Sequence, residues 1–263
     1  MLQITDTVST KTTSYQKTEV YMVKATIFSN LKTTLWLVRH GERIDNVIDD
    51  WQLLYNECSI DNPPLSFRGQ EQAEETRLRF KDVKLDHVFV SPFDRCLETA
   101  ARIIKDRPLR MKVEPGFIES LGYCENPPGF ESLETMKKKY SNIDEDYKPL
   151  RNPLIWEEPK SNDEACKDRV RLNLEAILRK YHPGDFERLM QGIVIQKFSG
   201  TNILIVTHND IIAAIHDYLC GPDNWKYVGL ATVSKFVEKR DGSFTCELSG
   251  DFSHLSDPTN LRI

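Results

Sequence analysis

Four short apolar runs recur along the chain: LWLV at 35–38, HVFV at 87–90, MKV at 111–113 and ILIV at 203–206. Each is β-branched or aromatic in character, as buried strands are. Helical patterns separate them. SFRGQEQAEETRLRF opens on a cap, Ser66. SPFDRCLETAARIIK offers Ser91 as N-cap, Pro92 at the first helical position and Asp94 three residues on. NDEACKDRVRLNLEAILRKY sets Val170, Leu174, Ile177 and Leu178 on one face, and NDIIAAIHDYLCG stops at Gly221. Strands that alternate with helices predict an α/β fold with both sheet faces covered. The expected architecture is a three-layer αβα sandwich around a mostly parallel central sheet. SKFVEKRDGSFTCEL adds a hairpin turning at Asp241-Gly242.

The 263 residues suit one domain, expected over 31–263. Residues 1–30 are rich in Thr, Ser and Lys and read as a mobile tail, with a short strand in VYMVKATIF. From about 120 to 162, after the third strand, strand signals fade and ENPPGF and charges take over. This insertion is expected to lie over the sheet edge as a lid or substrate wall.

Composition excludes several classes. A net charge of −5 argues against a nucleic-acid partner. No apolar run approaches the roughly 18 residues needed to cross a membrane. The first twenty residues lack the apolar core of a signal peptide. The six cysteines, Cys58, Cys96, Cys124, Cys166, Cys220 and Cys246, form no C-x-x-C, and no Cys/His spacing suggests a metal. A cytoplasmic protein with reduced thiols, without metal or cofactor, is expected.

Charge collects after the strands. LWLV runs into Arg39-His40-Gly41-Glu42-Arg43, HVFV leads to Ser91 and a helix carrying Arg95 in its first turn, and ILIV leads to Thr207-His208. MKV leads through Glu114-Pro115-Gly116 to Glu119. Ligands of open α/β sheets bind outside the carboxyl ends of the strands, so these side chains are expected to converge. Two helix N-termini pointing there favour an anion, and guanidinium groups match phosphate oxygens in pairs. A histidine among arginines is pushed towards its neutral, nucleophilic form. One histidine can then attack phosphorus, the other can hold the oxygens, and a protonated carboxylic acid can serve the leaving group.

Five segments in this order resemble the histidine phosphatase (phosphoglycerate-mutase-like) superfamily. They are Arg39-His40-Gly41, DNPPLSFRGQEQA, SPFDRCLETA with Arg95, VEPGFIE with Glu119, and VTHND with His208. RHGERID, with Arg43, is most similar to the suppressor of T-cell receptor signalling (Sts) phosphatases and the ecdysteroid-phosphate phosphatases. The resemblance implies a metal-independent phosphomonoester hydrolase. It puts the nucleophile on His40, the proton donor on Glu119, and phosphate binding on Arg39, Arg43, Arg95 and His208. It implies phosphotyrosine or a steroid phosphate as substrate, and the related phosphatases suggest a homodimer. The Sts proteins carry ubiquitin-binding and SH3 modules ahead of the phosphatase; adaptor roles are not carried over.

Plainer readings stand beside these. His40 could be a packed strand-end residue, His208 a helix cap, Arg95 a surface first-turn residue, and Arg43 a partner of Glu42 or Asp45. Glu114, Glu125 and Glu131 rival Glu119 as the acid. His87, His182, His216 and His254 have no motif around them. A phosphoglycerate mutase is the alternative enzyme, disfavoured because Arg43 stands where mutases usually carry serine. A non-catalytic module that binds phosphorylated ligands is the alternative outside enzymes. Trp51 and Tyr55 are candidates to stack on an aromatic or steroid group, or else belong to the core.

Overall fold

The computed structural model describes residues 32–150, 165–181, 200–222 and 227–261. The strands are β1 (Thr33–Arg39), β2 (His87–Val90), β3 (Met111–Val113), β4 (Thr201–Thr207), β5 (Val233–Glu238) and β6 (Phe244–Asp251). The helices are α1 (Phe67–Arg79), α2 (Asp94–Ile103), α3 (Leu133–Lys139), α4 (Ala165–Tyr181) and α5 (Asn209–Cys220). The sheet order is β3-β2-β4-β1-β5-β6. From β3 to β1 the pairs are parallel, and β5 and β6 close the far side antiparallel.

Side-chain alternation on the strands builds two cores. Trp36, Val38, Val88, Val90, Leu204 and Val206 point to one face, under Phe80 and the α2 residues Leu97, Ala100 and Ile103. Leu35, Leu37, Phe89, Ile203 and Ile205 point to the other, under Val170, Leu174 and Ile177 of α4 and Ile211, Ile212 and Ile215 of α5. Each such side chain contributes about 1.5–3 kcal/mol when fully buried. The expected three-layer αβα sandwich is therefore present. Of the four residues expected on the inner face of α4, Leu178 is only partly buried.

The cap of α1 forms as expected: the Gly69 amide donates to Ser66 Oγ at 3.0 Å. Gly221 ends α5 at φ +79°, and Gly242 turns the β5–β6 hairpin at φ +82°. The start of α2 differs. Ser91 is not its N-cap, because its amide still bonds Val206 of β4 and its hydroxyl is engaged by His208. The helix begins at Asp94, whose amide is satisfied by the side chain of Asn62 at 2.8 Å.

The insertion returns alongside β3. Met111 donates to Asn142 O and accepts from Asp144 N, so the chain covers the edge of the sheet. The tail at 1–30, with its expected strand, and the insertion beyond Leu150 lie outside the described residues.

Candidate active site

Strand register brings the two histidines together. Arg39 of β1 lies opposite Thr207 of β4, and each is followed by a histidine. The His40 amide donates to Thr207 O at 3.0 Å, and the two imidazole centroids are 5.3 Å apart. Both residues are buried.

His40 Nδ1 lies 2.8 Å from Gly41 O. A carbonyl can only accept, so Nδ1 carries the proton. Nε2 is then the lone-pair nitrogen. The loop that holds this ring is pinned from below. A Cβ on Gly41 would stand 2.6 Å from Gly69 O, so only glycine permits α1 to approach so closely. Glu42 accepts from Ser66 Oγ at 2.7 Å and from Arg68 at 3.1 Å, and its amide donates to Gln72 at 2.9 Å.

His208 occupies the N-cap position of α5 without making a cap hydrogen bond. Its Nε2 lies 2.8 Å from Ser91 Oγ; its Nδ1 lies 3.4 Å from Glu119 Oε2 and 3.5 Å from Arg95 Nη2. Arg95 is 2% exposed. It donates to Asp61 O at 2.9 Å and stacks on Phe93 at 4.4 Å. Its Nε has no hydrogen-bond partner, and among the described residues its guanidinium has no carboxylate in ion-pair contact. Buried cations usually have one, so the arrangement suits an anion. Arg39 donates to Tyr227 Oη and Val228 O, both at 2.8 Å. Arg43 pairs with Asp45, not Glu42, at 2.9 and 2.5 Å through Nε and Nη2.

Arg39, Arg43, Arg95 and Glu119 line one cavity of about 670 Å³. Burial, then the fields of the arginines with Arg95 foremost, hold both histidines well below their usual value and hence neutral. Glu119 is shifted the other way, upward, by burial first and then by Asp210, which shares the cavity wall. Arg169 fixes the backbone that presents Glu119 by donating to the carbonyls of Gly116, Ile118 and Glu119 at 2.9–3.1 Å.

The rival acids separate by position. Glu114 is buried and committed to Tyr147 Oη, Leu150 N and Gly116 N. Glu125 sits on the cavity rim, exposed. Trp51 belongs to the core, 4% exposed, and neither it nor Tyr55 lines the cavity. His87, His216 and His254 take part in ordinary packing against Tyr181, Phe236 and Ala231 O; His182 lies outside the described residues. Sequence reasoning missed Ser91 as the partner of His208, and Asp61, Arg169 and Asp210 altogether. Only Asp210, two residues past His208, carried a positional hint.

A model of the histidine phosphatase superfamily (branch 1) matches residues 35–250. The chain belongs to this superfamily. Among curated members it is 26% identical over 271 residues to mouse ubiquitin-associated and SH3 domain-containing protein B, covering 88% of this chain and 39% of that one. It is 27% identical over 180 residues to the human A form, covering 56% of this chain and 27% of that one. The chain thus spans from 23% to 39% of the length of the curated relatives it matches. Among solved structures, the ecdysone phosphate phosphatase of Bombix mori bound to tungstate superposes with a TM-score of 0.56. The two share 20% identity, over 82% of this chain and 94% of that one. A phosphoglycerate mutase from Bacillus anthracis gives 0.55 at 20% identity, over 86% and 96%. Both show the shared fold.

Proposed function

We propose that the chain hydrolyses phosphomonoesters through a phosphohistidine at His40. The observation that carries this reading is the Nδ1 contact with Gly41 O, which leaves Nε2 as a neutral nucleophile beside three arginines. In the first step Nε2 attacks phosphorus and the ester oxygen departs. Arg39, Arg43, Arg95 and His208 hold the non-bridging oxygens while charge redistributes. Glu119, protonated at the start, gives its proton to the leaving oxygen. In the second step the Glu119 carboxylate takes a proton from water, the water oxygen attacks phosphorus, and the N–P bond breaks to release phosphate.

The substrate class under this reading is a phosphotyrosine protein or a small phosphomonoester such as a steroid phosphate. The exposed Ile60 and Tyr123 on the cavity wall support an apolar leaving group. The six free thiols support a reducing compartment, the cytoplasm, and the family resemblance supports a homodimer.

The test is p-nitrophenyl phosphate hydrolysis in EDTA, with wild type beside His40→Ala. Turnover lost only in the variant is expected. Equal turnover in both would sink the role of His40, and no turnover in folded wild type would favour a mutase or a phosphate-binding module. EDTA-sensitive turnover would contradict metal-independent chemistry.

A further inference from the structure

We propose that Asp61 is a positioning residue that latches the insertion across the mouth of the cavity while its backbone steadies Arg95; the inference rests on the phosphatase reading above.

The carboxylate of Asp61 accepts from three donors. Oδ1 takes Ser59 Oγ at 2.9 Å, Oδ2 takes Glu125 N at 2.9 Å, and Gly129 N is shared between them at 3.2 and 3.1 Å. Two of the donors are therefore main-chain amides of the insertion, more than sixty residues away. The turn at 125–129 wraps this carboxylate tightly: a Cβ on Gly129 would overlap the side chains of Ser59 and Asp61. Tyr123 and Cys124, just before that turn, and Glu125, its first residue, wall the cavity. On its other side, Asp61 O accepts from Arg95 Nη1, and the next residue, Asn62, satisfies the first amide of α2.

One residue thus joins the wall that faces the leaving group to the cation that faces the phosphate. The division of labour within Asp61 is chemical. The side chain holds the wall and the carbonyl holds the arginine, so a side-chain substitution separates the two. A carboxylate suits the latch because it offers only acceptors to a ring of donors. An amide would turn a donor towards Glu125 N or Gly129 N.

The test compares wild type with Asp61→Asn and Gly129→Ala, the second opening the same latch from the opposite strand of chain. Amide hydrogen exchange over 122–130 reads the latch without reference to turnover, and both variants are expected to exchange at least tenfold faster there. With a bulky aryl phosphate, KM is expected to rise about tenfold with kcat within threefold, while the inhibition constant of inorganic phosphate, which reads the arginines, changes less than twofold. Faster exchange with unchanged KM would overturn the proposal, as would unchanged exchange. A parallel rise in KM and in the phosphate constant would overturn it too, by showing general damage to the pocket. Wild type that turns over no phosphomonoester, yet shows the latch by exchange, would mark failure of the functional reading instead.

Discussion

Replacing Arg95 with methionine separates the two things a buried guanidinium does. The side chain is 2% exposed, donates to Asp61 O and lies 4.4 Å over Phe93. Losing a hydrogen bond from a charged donor costs about 1.5–3 kcal/mol, and losing a desolvated cation–π contact about 2 kcal/mol. Against this, an ion buried without an ion-pair partner bears a desolvation penalty of several kcal/mol, which the substitution removes. The two sides nearly offset, so Arg95→Met is expected to unfold within about 2 kcal/mol of wild type in phosphate-free buffer. Activity should behave differently. Removing a preorganised donor from the transition state costs about 2.7–4 kcal/mol, a fall of two to three orders of magnitude in kcat/KM. Ligand response makes the contrast sharper. Phosphate at a hundred times its Kd stabilises a binder by about 2.7 kcal/mol, and for a chain of this size that raises Tm by roughly 5–11 °C. Wild type should show the shift and the variant most of its absence. Urea denaturation with and without phosphate, beside steady-state kinetics, measures all three. A variant more than about 4 kcal/mol less stable without phosphate, or one that keeps the full phosphate shift, would refute the reasoning.

Two further predictions concern protons and His208. His40 and His208 titrate well below 6.5 in the folded chain, so kcat/KM should stay high as pH falls past 6.5, while the falling alkaline limb, set by Glu119 losing its proton above 4.5, should vanish in Glu119→Gln. Since the unfolded chain protonates these histidines first, stability should decline as pH drops below 6.5, read as Tm against pH; a flat Tm there would contradict their burial as neutral groups. Ser91→Ala removes the 2.8 Å partner of His208 Nε2 and should lower kcat/KM about tenfold, equivalent to ~1.4 kcal/mol; an unchanged value would show that the hydroxyl does not aim the ring.

The residues that the sequence made legible are those whose role follows from local order. Val38, Val90 and Val206 announce strands because β-branched runs bounded by polar residues do so anywhere, and Ser66 and Gly221 mark helix ends by chemistry confined to a few neighbours. His40, Arg95 and His208 could be placed together because strand ends share one side of the sheet. Ser91 was misread for the complementary reason: as a serine before a proline it fits a cap, but a histidine 117 residues away claims its hydroxyl. Glu119 and Glu114 look alike in sequence. What separates them is Tyr147 folding back onto Glu114, and no local pattern encodes that contact. Asp61 and Arg169 act on backbone groups of distant segments, which leaves no trace in residue type.

The pairing of Arg39 with Thr207 in the β1–β4 ladder has an implication for how such a protein can vary. The spacing of its two histidines is the spacing of adjacent strands, about 4.8 Å between backbones, and is fixed by main-chain hydrogen bonds. Loops may lengthen, shorten or change composition around the cavity without altering that distance. Only a slip of register would change it, and a slip by one residue would turn both cores inside out. Under the proposed phosphatase reading, the histidine pair is thereby insulated from the loops and the insertion around the cavity, which can change while that pair stays fixed.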